Sequence, residues 1–159
     1  MAHEVRLVTS DRDRSAFRAI LAEYLAIQVD NYPDPQAVAA SHQRELDGLS
    51  ERYRAPTSAM FLAIEGSQAA GCVAMKQVGA LTAEMKRMYV REDYRGRGLG
   101  RELATAMIDA ARGAGYRRVR LDVHVSRLPA IRLYESLGFS RVTPWADWPF
   151  DLIFMEKTL

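Results

Sequence analysis

Three rhythms of apolar and polar residues follow one another along the chain. Up to about residue 53 the apolar positions recur at helical spacing, apart from a short opening strand. The stretch EVRLVT (4–9) is short and β-branched at alternate apolar sites, which predicts a strand. Residues 10–29 place Phe17, Ile20, Leu21, Tyr24, Leu25 and Gln28 on one helical face, behind Ser10 as N-cap. NYPDP (31–35) breaks that helix, and 36–53 predicts a second, more polar one, interrupted at Gly48 and stopped by RAP (54–56).

From 58 the pattern becomes strand-like. SAMFLAIE (58–65), AAGCVAMKQVG (69–79) and TAEMKRMYVR (82–91) are separated by short turns and predict an antiparallel meander. Helical spacing returns at 99–115, where Leu99, Leu103, Ala106, Met107, Ala110 and Ala114 share a face. RRVRLDVHV (117–125) alternates, with Val119, Leu121, Val123 and Val125 on one side and Arg120, Asp122 and His124 on the other. SRLPAIRLYESLG (126–138) predicts a helix with Ser126 as cap, Pro129 in its first turn and Gly138 as its stop. Two closing strands follow, around 139–144 and 150–159, joined by WADW. The order is β-α-α-β-β-β-α-β-α-β-β. It implies an α/β fold: a mixed, mostly antiparallel sheet with helices on both faces and one parallel crossover, from 82–91 through 99–115 to 117–125.

Composition narrows the function classes. The 159 residues suit a single domain, 1–159, and 48% hydrophobic with 26% charged is ordinary globular usage. A net charge of +2 is too small to argue for a nucleic-acid partner. No apolar run approaches membrane-spanning length, the N-terminus carries no apolar leader, and there is one cysteine, so a cytoplasmic setting without a membrane partner is expected. No metal-ligand constellation is read, and a homodimer stays open. Cys72, in AAGCVAM, reads as a small core hydrophobe.

The charge is local. YVREDYRGRGLG (89–100) holds Arg91, Arg95 and Arg97 with Gly96, Gly98 and Gly100, and Arg101 follows, where a strand gives way to a helix. Such a junction exposes unpaired helix N–H groups, glycines let a ligand approach the backbone, and arginines strengthen an anion site. The ligand should carry phosphates. A P-loop is excluded because no Gly-Lys-Ser/Thr follows. A dinucleotide fingerprint requires a third glycine where Arg101 stands, although Asp122 lies where a ribose-binding acid would be.

Two stretches resemble a known family. Arg95-x-x-Gly98-x-Gly100 is similar to the first signature of the GNAT (GCN5-related) N-acetyltransferases, and AIRLYESLGF (130–139) to the second, in that order and at the expected distance. The resemblance implies an α/β sandwich whose sheet is splayed between strands 4 and 5, with acetyl-CoA as co-substrate in the splay. It implies that Arg95, Gly96, Arg97, Gly98, Leu99, Gly100 and Arg101 hold the pyrophosphate. Met88, Tyr89 and Val90 would pair with the pantetheine arm, Val90 N–H would meet the oxyanion, and nearby arginines the 3′-phosphate. Many relatives carry Asn where this chain has Arg127.

Acetyl transfer to an amine needs a neutral amine, an oxyanion donor and a proton for the departing thiolate. Glu84 is the candidate base, or else a partner of Lys86 or Arg120. Tyr134 is the candidate acid, and its helix stripe with Ala130, Ile131 and Leu137 also suits the core. Asp122 and His124 either touch substrate or face solvent. Trp145 and Trp148 either cap the core or line an acceptor pocket with Tyr24 and Tyr32. The expected acceptor is a small amine or amino-acid-like metabolite. Alternatives are a peptide or protein N-terminus or lysine, a non-catalytic acetyl-CoA-binding module, and a dinucleotide oxidoreductase.

Overall fold

The computed structural model describes residues 2–159. Its elements run β1 (His3–Leu7), α1 (Asp11–Gln28), α2 (Pro35–Asp47), α3 (Leu49–Arg52), β2 (Ala59–Glu65), β3 (Gln68–Gly79) and β4 (Thr82–Val90). They continue through α4 (Leu99–Gly113), β5 (Arg118–His124), α5 (Leu128–Ser136), β6 (Ser140–Arg141) and β7 (Leu152–Thr158). The strands form one sheet in the order β1-β2-β3-β4-β5-β7-β6. Every neighbouring pair is antiparallel except β4–β5, which is parallel and bridged by α4 as the sequence predicts.

Local chemistry sets most boundaries. The Ser10 hydroxyl accepts from Asp13 N–H, capping α1, and Asp34 caps α2 in the same way through Ala37 N–H. Gly48 divides α2 from α3. Gly138, at φ 93°, follows α5 in the left-handed conformation that ends helices. Ser126 is not the cap of α5. Arg127 occupies the cap position, one residue later, and Ser126 Oγ instead bonds His124 Nδ1 at 2.7 Å. Pro129 sits in the first turn and sets the helix start just beyond Ser126's reach.

The sheet has a core on each face. On one, α1 and α3 bury Phe17, Ile20, Leu21, Leu25 and Leu49 against Met60, Leu62, Cys72 and Ala74. On the other, α4 and α5 cover Phe61, Val73, Met75, Val119 and Leu121. The buried stripe of α4 is Leu99, Leu103, Ala104, Met107, Ile108 and Ala111. It is rotated from the expected face: Ala106 and Ala110 pack only at the margin, and Ala114 is exposed. The larger Ile108 gains more by burial than the alanines do, so it turns inward. Val125, expected on the inward face of β5, lies beyond the strand end and is exposed.

One feature of this sheet creates a site. β4 and β5 pair only through Thr82↔Arg118, Ala83↔Val119 and Glu84↔Arg120. Both strands continue past that row, so the sheet opens beyond Glu84. The cause lies in β4: its register with β3 slips between Cys72 and Ala74, leaving Arg87 and Met88 opposite the single residue Val73. Arg87 takes φ 58°, a left-handed conformation that is costly for a side-chain-bearing residue.

Candidate active site

The bulge is held in place by a buried carboxylate. Arg87 donates from Nε and Nη2 to the two oxygens of Glu45 on α2, each at 2.9 Å. Arg52 and the Tyr53 hydroxyl also donate to Glu45, which is 2% exposed. Burial alone would push the Glu45 carboxyl up, but hydrogen bonding and charge from Arg87 outweigh it and hold it below its ordinary value. This pair therefore stabilises the fold at neutral pH and fades only as the pH falls through that lowered value. Glu45→Ala leaves Arg87 largely buried without its counter-charge and should cost about 3–5 kcal/mol in denaturant unfolding. A loss within experimental error would show that the bulge does not depend on α2.

Past the bulge the backbone of β4 faces two ways. Arg91 N–H donates to Ala70 C=O of β3 at 2.9 Å, so Arg91 turns toward β3. Alternation then points the N–H and C=O of Val90 into the opening toward β5, and those of Met88 likewise, while Tyr89 turns back to β3 opposite Cys72. Arg95 Nε donates to Val90 C=O at 2.8 Å. The Val90 N–H is left facing the splay. The Tyr89 side chain packs on Tyr24 with ring centroids 5.0 Å apart, and its hydroxyl donates to Glu23 at 3.0 Å.

The glycine turn follows. Gly96 and Gly98 lie at φ 76° and 84°, on either side of Arg97, and Gly98 is the N-cap of α4 without any side-chain cap. Both conformations need glycine. The N–H groups of Leu99, Gly100 and Arg101 head the helix with no protein acceptor among the described residues, and the helix dipole adds positive potential there. Gly100 is not held to glycine by its backbone; a Cβ there would lie 3.4 Å from Leu133 Cδ2 on α5, close to ordinary contact.

The arginines are less available than their number suggests. Arg91 binds Glu23 through Nε and Nη2, and Arg97 Nη1 lies 2.8 Å from both oxygens of Glu65, which is 4% exposed. Arg95 and Arg101 have no carboxylate partner among the described residues, and Arg101 Nη2 donates to Ser136 Oγ at 2.7 Å. Of the four arginines in the expected anion site, two are therefore bound to acids inside the protein. A buried or half-buried guanidinium next to a carboxylate is too costly to leave unpaired, and linear spacing cannot reveal that pairing.

The opening continues into a cavity of about 1190 Å³. Its floor is the polar face of β4 and β5 past the last paired row. Its walls are Tyr24, Tyr32 and His42 from the first helices, Tyr134 from α5, and Trp145 and Trp148 from the loop before β7. Trp145 lines the cavity with Tyr24 and Tyr32, stacks edge-on against Phe154 at 4.6 Å and lies 4.3 Å from the Arg120 guanidinium. Trp148 lines the cavity while remaining half exposed.

Glu84 stands at the crotch of the splay. Arg120 Nε donates to its Oε2 at 2.9 Å, which realises one of the structural partners foreseen for it, and no protein group among the described residues engages Oε1. Tyr134 lines the cavity and packs edge-on against Phe139 at 5.9 Å, and no side chain or backbone group among the described residues hydrogen-bonds its hydroxyl. Burial, with Tyr24 adding to it, raises the Tyr134 phenol well above its ordinary value. Asp122 lies two residues past Arg120 on the cavity floor, where the surrounding protein and the Glu84 charge push its carboxyl up. His124 also lines the cavity, at its outer end, with Arg127 beside it. Cys72 is buried, as expected, and burial pushes its thiol up to about 12. The Glu45–Arg87 pair escaped the sequence reading, because its members lie 42 residues apart and 36–53 reads only as a more polar helix.

No helix among the described residues is long and apolar enough to cross a membrane. The sequence model of the Acetyltransferase (GNAT) family matches residues 21–139. The uncharacterized N-acetyltransferase C1271.07c of Schizosaccharomyces pombe is 31% identical over 160 residues, covering 96% of this chain and 92% of its own. The uncharacterized N-acetyltransferase YsnE of Bacillus subtilis is 34% identical over 113 residues, 69% of this chain and 75% of its own. The PaiA N-acetyltransferase from Thermoplasma acidophilum, solved in complex with coenzyme A, shares the fold with a TM-score of 0.76 at 19% identity, over 100% of both chains. A splayed mixed sheet, a glycine nest at the head of α4 and relatives of this extent lead to one conclusion: the chain belongs to the GNAT acetyltransferase family, whose members are acetyl-CoA-dependent N-acetyltransferases.

Proposed function

We propose that this protein moves the acetyl group of acetyl-CoA to the primary amine of a small amine or amino-acid-like metabolite, by direct attack in a ternary complex. The observation that carries this reading is that the Oε1 of Glu84 and the Tyr134 hydroxyl line one cavity without a protein partner among the described residues, while the Val90 N–H turns into the splay that leads to it. The backbone from Arg95 to Arg101 holds the pyrophosphate, with the N–H groups of Leu99, Gly100 and Arg101 and the dipole of α4 facing it. Met88 and Val90 pair with the pantetheine arm as an added strand in the place β5 vacates, and Tyr89 fixes their register from the β3 side.

The chemistry then balances. Glu84 takes a proton from the acceptor ammonium, directly or through water. The neutral nitrogen bonds to the acetyl carbon, and Val90 N–H donates to the oxyanion that forms. The C–S bond breaks as the tetrahedral species collapses, and Tyr134 gives the thiolate its proton. The second proton, shed by the acetylated nitrogen, restores the Tyr134 phenol through water, and the proton taken by Glu84 passes to solvent. The products are an N-acetyl amine and the CoA thiol.

The test is thiol release from acetyl-CoA with pools of amino acids, polyamines, aminoglycosides and short peptides. Release is expected with the amino-acid pool above the no-acceptor blank. Acetyl-CoA that binds but supports no release with any pool would overturn the catalytic reading in favour of a binding module.

A further inference from the structure

The charges around the cavity are not those of a site for a simple cation. It is lined by Lys76, Lys86, Arg87, Arg120 and Arg127 against Glu84, Asp122 and Asp151. Arg120 is neutralised by Glu84, and Arg87 by Glu45 behind the wall. Lys86 is not neutralised: it is half-buried, lines the cavity and has no ion pair or hydrogen bond among the described residues. An unpaired half-buried ammonium costs stability unless something else uses its charge.

Its position shows what could. Lys86 is two residues beyond Glu84, hence on the same face of β4. Asp122 is two residues beyond Arg120, on the same face of β5. The two stand one step past the last paired row, on opposite walls of the opening, and form no ion pair with each other. Had the strands stayed paired they would face each other directly. The splay separates a cation from an anion and leaves both free. Burial and the neighbouring Arg87 make the Lys86 ammonium easier to deprotonate than usual, with Glu84 and Glu45 offsetting only part of that, so a carboxylate in direct contact would favour its charged form.

Building on the acetyl-transfer reading above, we propose that the acceptor is a free amino acid, whose carboxylate is bound by Lys86 and whose amine enters between Glu84 and Asp122. A polyamine would bring a second cation toward the unpaired Lys86 and be repelled. A peptide N-terminus has an amide where the carboxylate is needed. The product is then an N-acetyl amino acid, released with the CoA thiol.

The experiment compares kcat/KM for amino acids with that for the matching amino-acid amides, in the unaltered protein, Lys86→Gln and Lys86→Arg. The acid should be favoured over its amide by roughly tenfold or more in the unaltered protein, as expected for one hydrogen bond to a charged group. Lys86→Gln should bring that ratio close to one through KM, and Lys86→Arg should retain most of it. Equal use of acid and amide, an undiminished ratio in Lys86→Gln, or a preference for peptides would overturn the proposal. Acetyl-CoA bound in a titration, with neither acid nor amide acetylated, would overturn the acceptor class and leave the cofactor site standing. Failure to bind acetyl-CoA would overturn the acetyl-transfer reading itself.

Discussion

Gly98→Asp is expected to remove acetyl-CoA binding, weakening it by roughly a hundredfold or more, because it sets a carboxylate among the helix N–H groups that charge-assisted bonds to a diphosphate require. The backbone there adds to the effect. Gly98 lies at φ 84° as the N-cap of α4, and a side chain in that conformation costs about 1–2 kcal/mol. Space is not the obstacle, since a Cβ at Gly98 meets nothing within 4 Å. Gly98→Ala therefore separates the causes. It keeps the strain without the charge, so it should lower Tm by a similar amount yet bind acetyl-CoA far better than the Asp variant. Isothermal titration of the unaltered protein and both variants reads the difference. Normal binding by Gly98→Asp would mean that the phosphates lie elsewhere.

Tyr134→Phe should lower kcat about a hundredfold, the ordinary scale of a positioned general acid, while the acetyl-CoA dissociation constant changes little. The ring is what packs against Phe139, and phenylalanine keeps the ring, so unfolding stability should be nearly unchanged. Only the hydroxyl is lost, and it leaves no partner stranded among the described residues. The raised phenol has a further consequence. Tyr134 stays protonated through neutral and mildly alkaline pH, so it remains a donor there, and any fall in rate in that range belongs to another group. Unchanged turnover in the Phe variant would leave Tyr134 as a core residue alone. A loss of stability equal to the loss of rate would point the same way.

Much of this molecule was legible as linear pattern. Period-two and helical spacings place β2, β3, β4, β5 and α1 within a residue or two of where they lie, because burial on one face of an element is recorded at fixed intervals. The cap at Ser10 and the stop at Gly138 are local, made by a side chain or a φ angle within a few residues of the helix they bound, whereas Asp34, which reads only as part of a breaker, caps α2. The glycine turn was equally visible, because Gly96 and Gly98 take left-handed backbone, which favours glycine.

Tertiary structure alone decided the rest. The arginine cluster looked uniform in sequence, yet Glu23 and Glu65, which are 68 and 32 residues from Arg91 and Arg97, remove two of its charges. The slip in β4 leaves no composition signal, and Arg87 holds its left-handed conformation because Glu45 reaches it from α2, 42 residues away. That slip parts β4 from β5 past Glu84, frees the Val90 N–H, and leaves Lys86 and Asp122 facing an open cavity without each other. Local spacing records which face a residue turns. Which charge meets which across the fold depends on chain segments that only packing brings together, and here that sets which groups remain free to act.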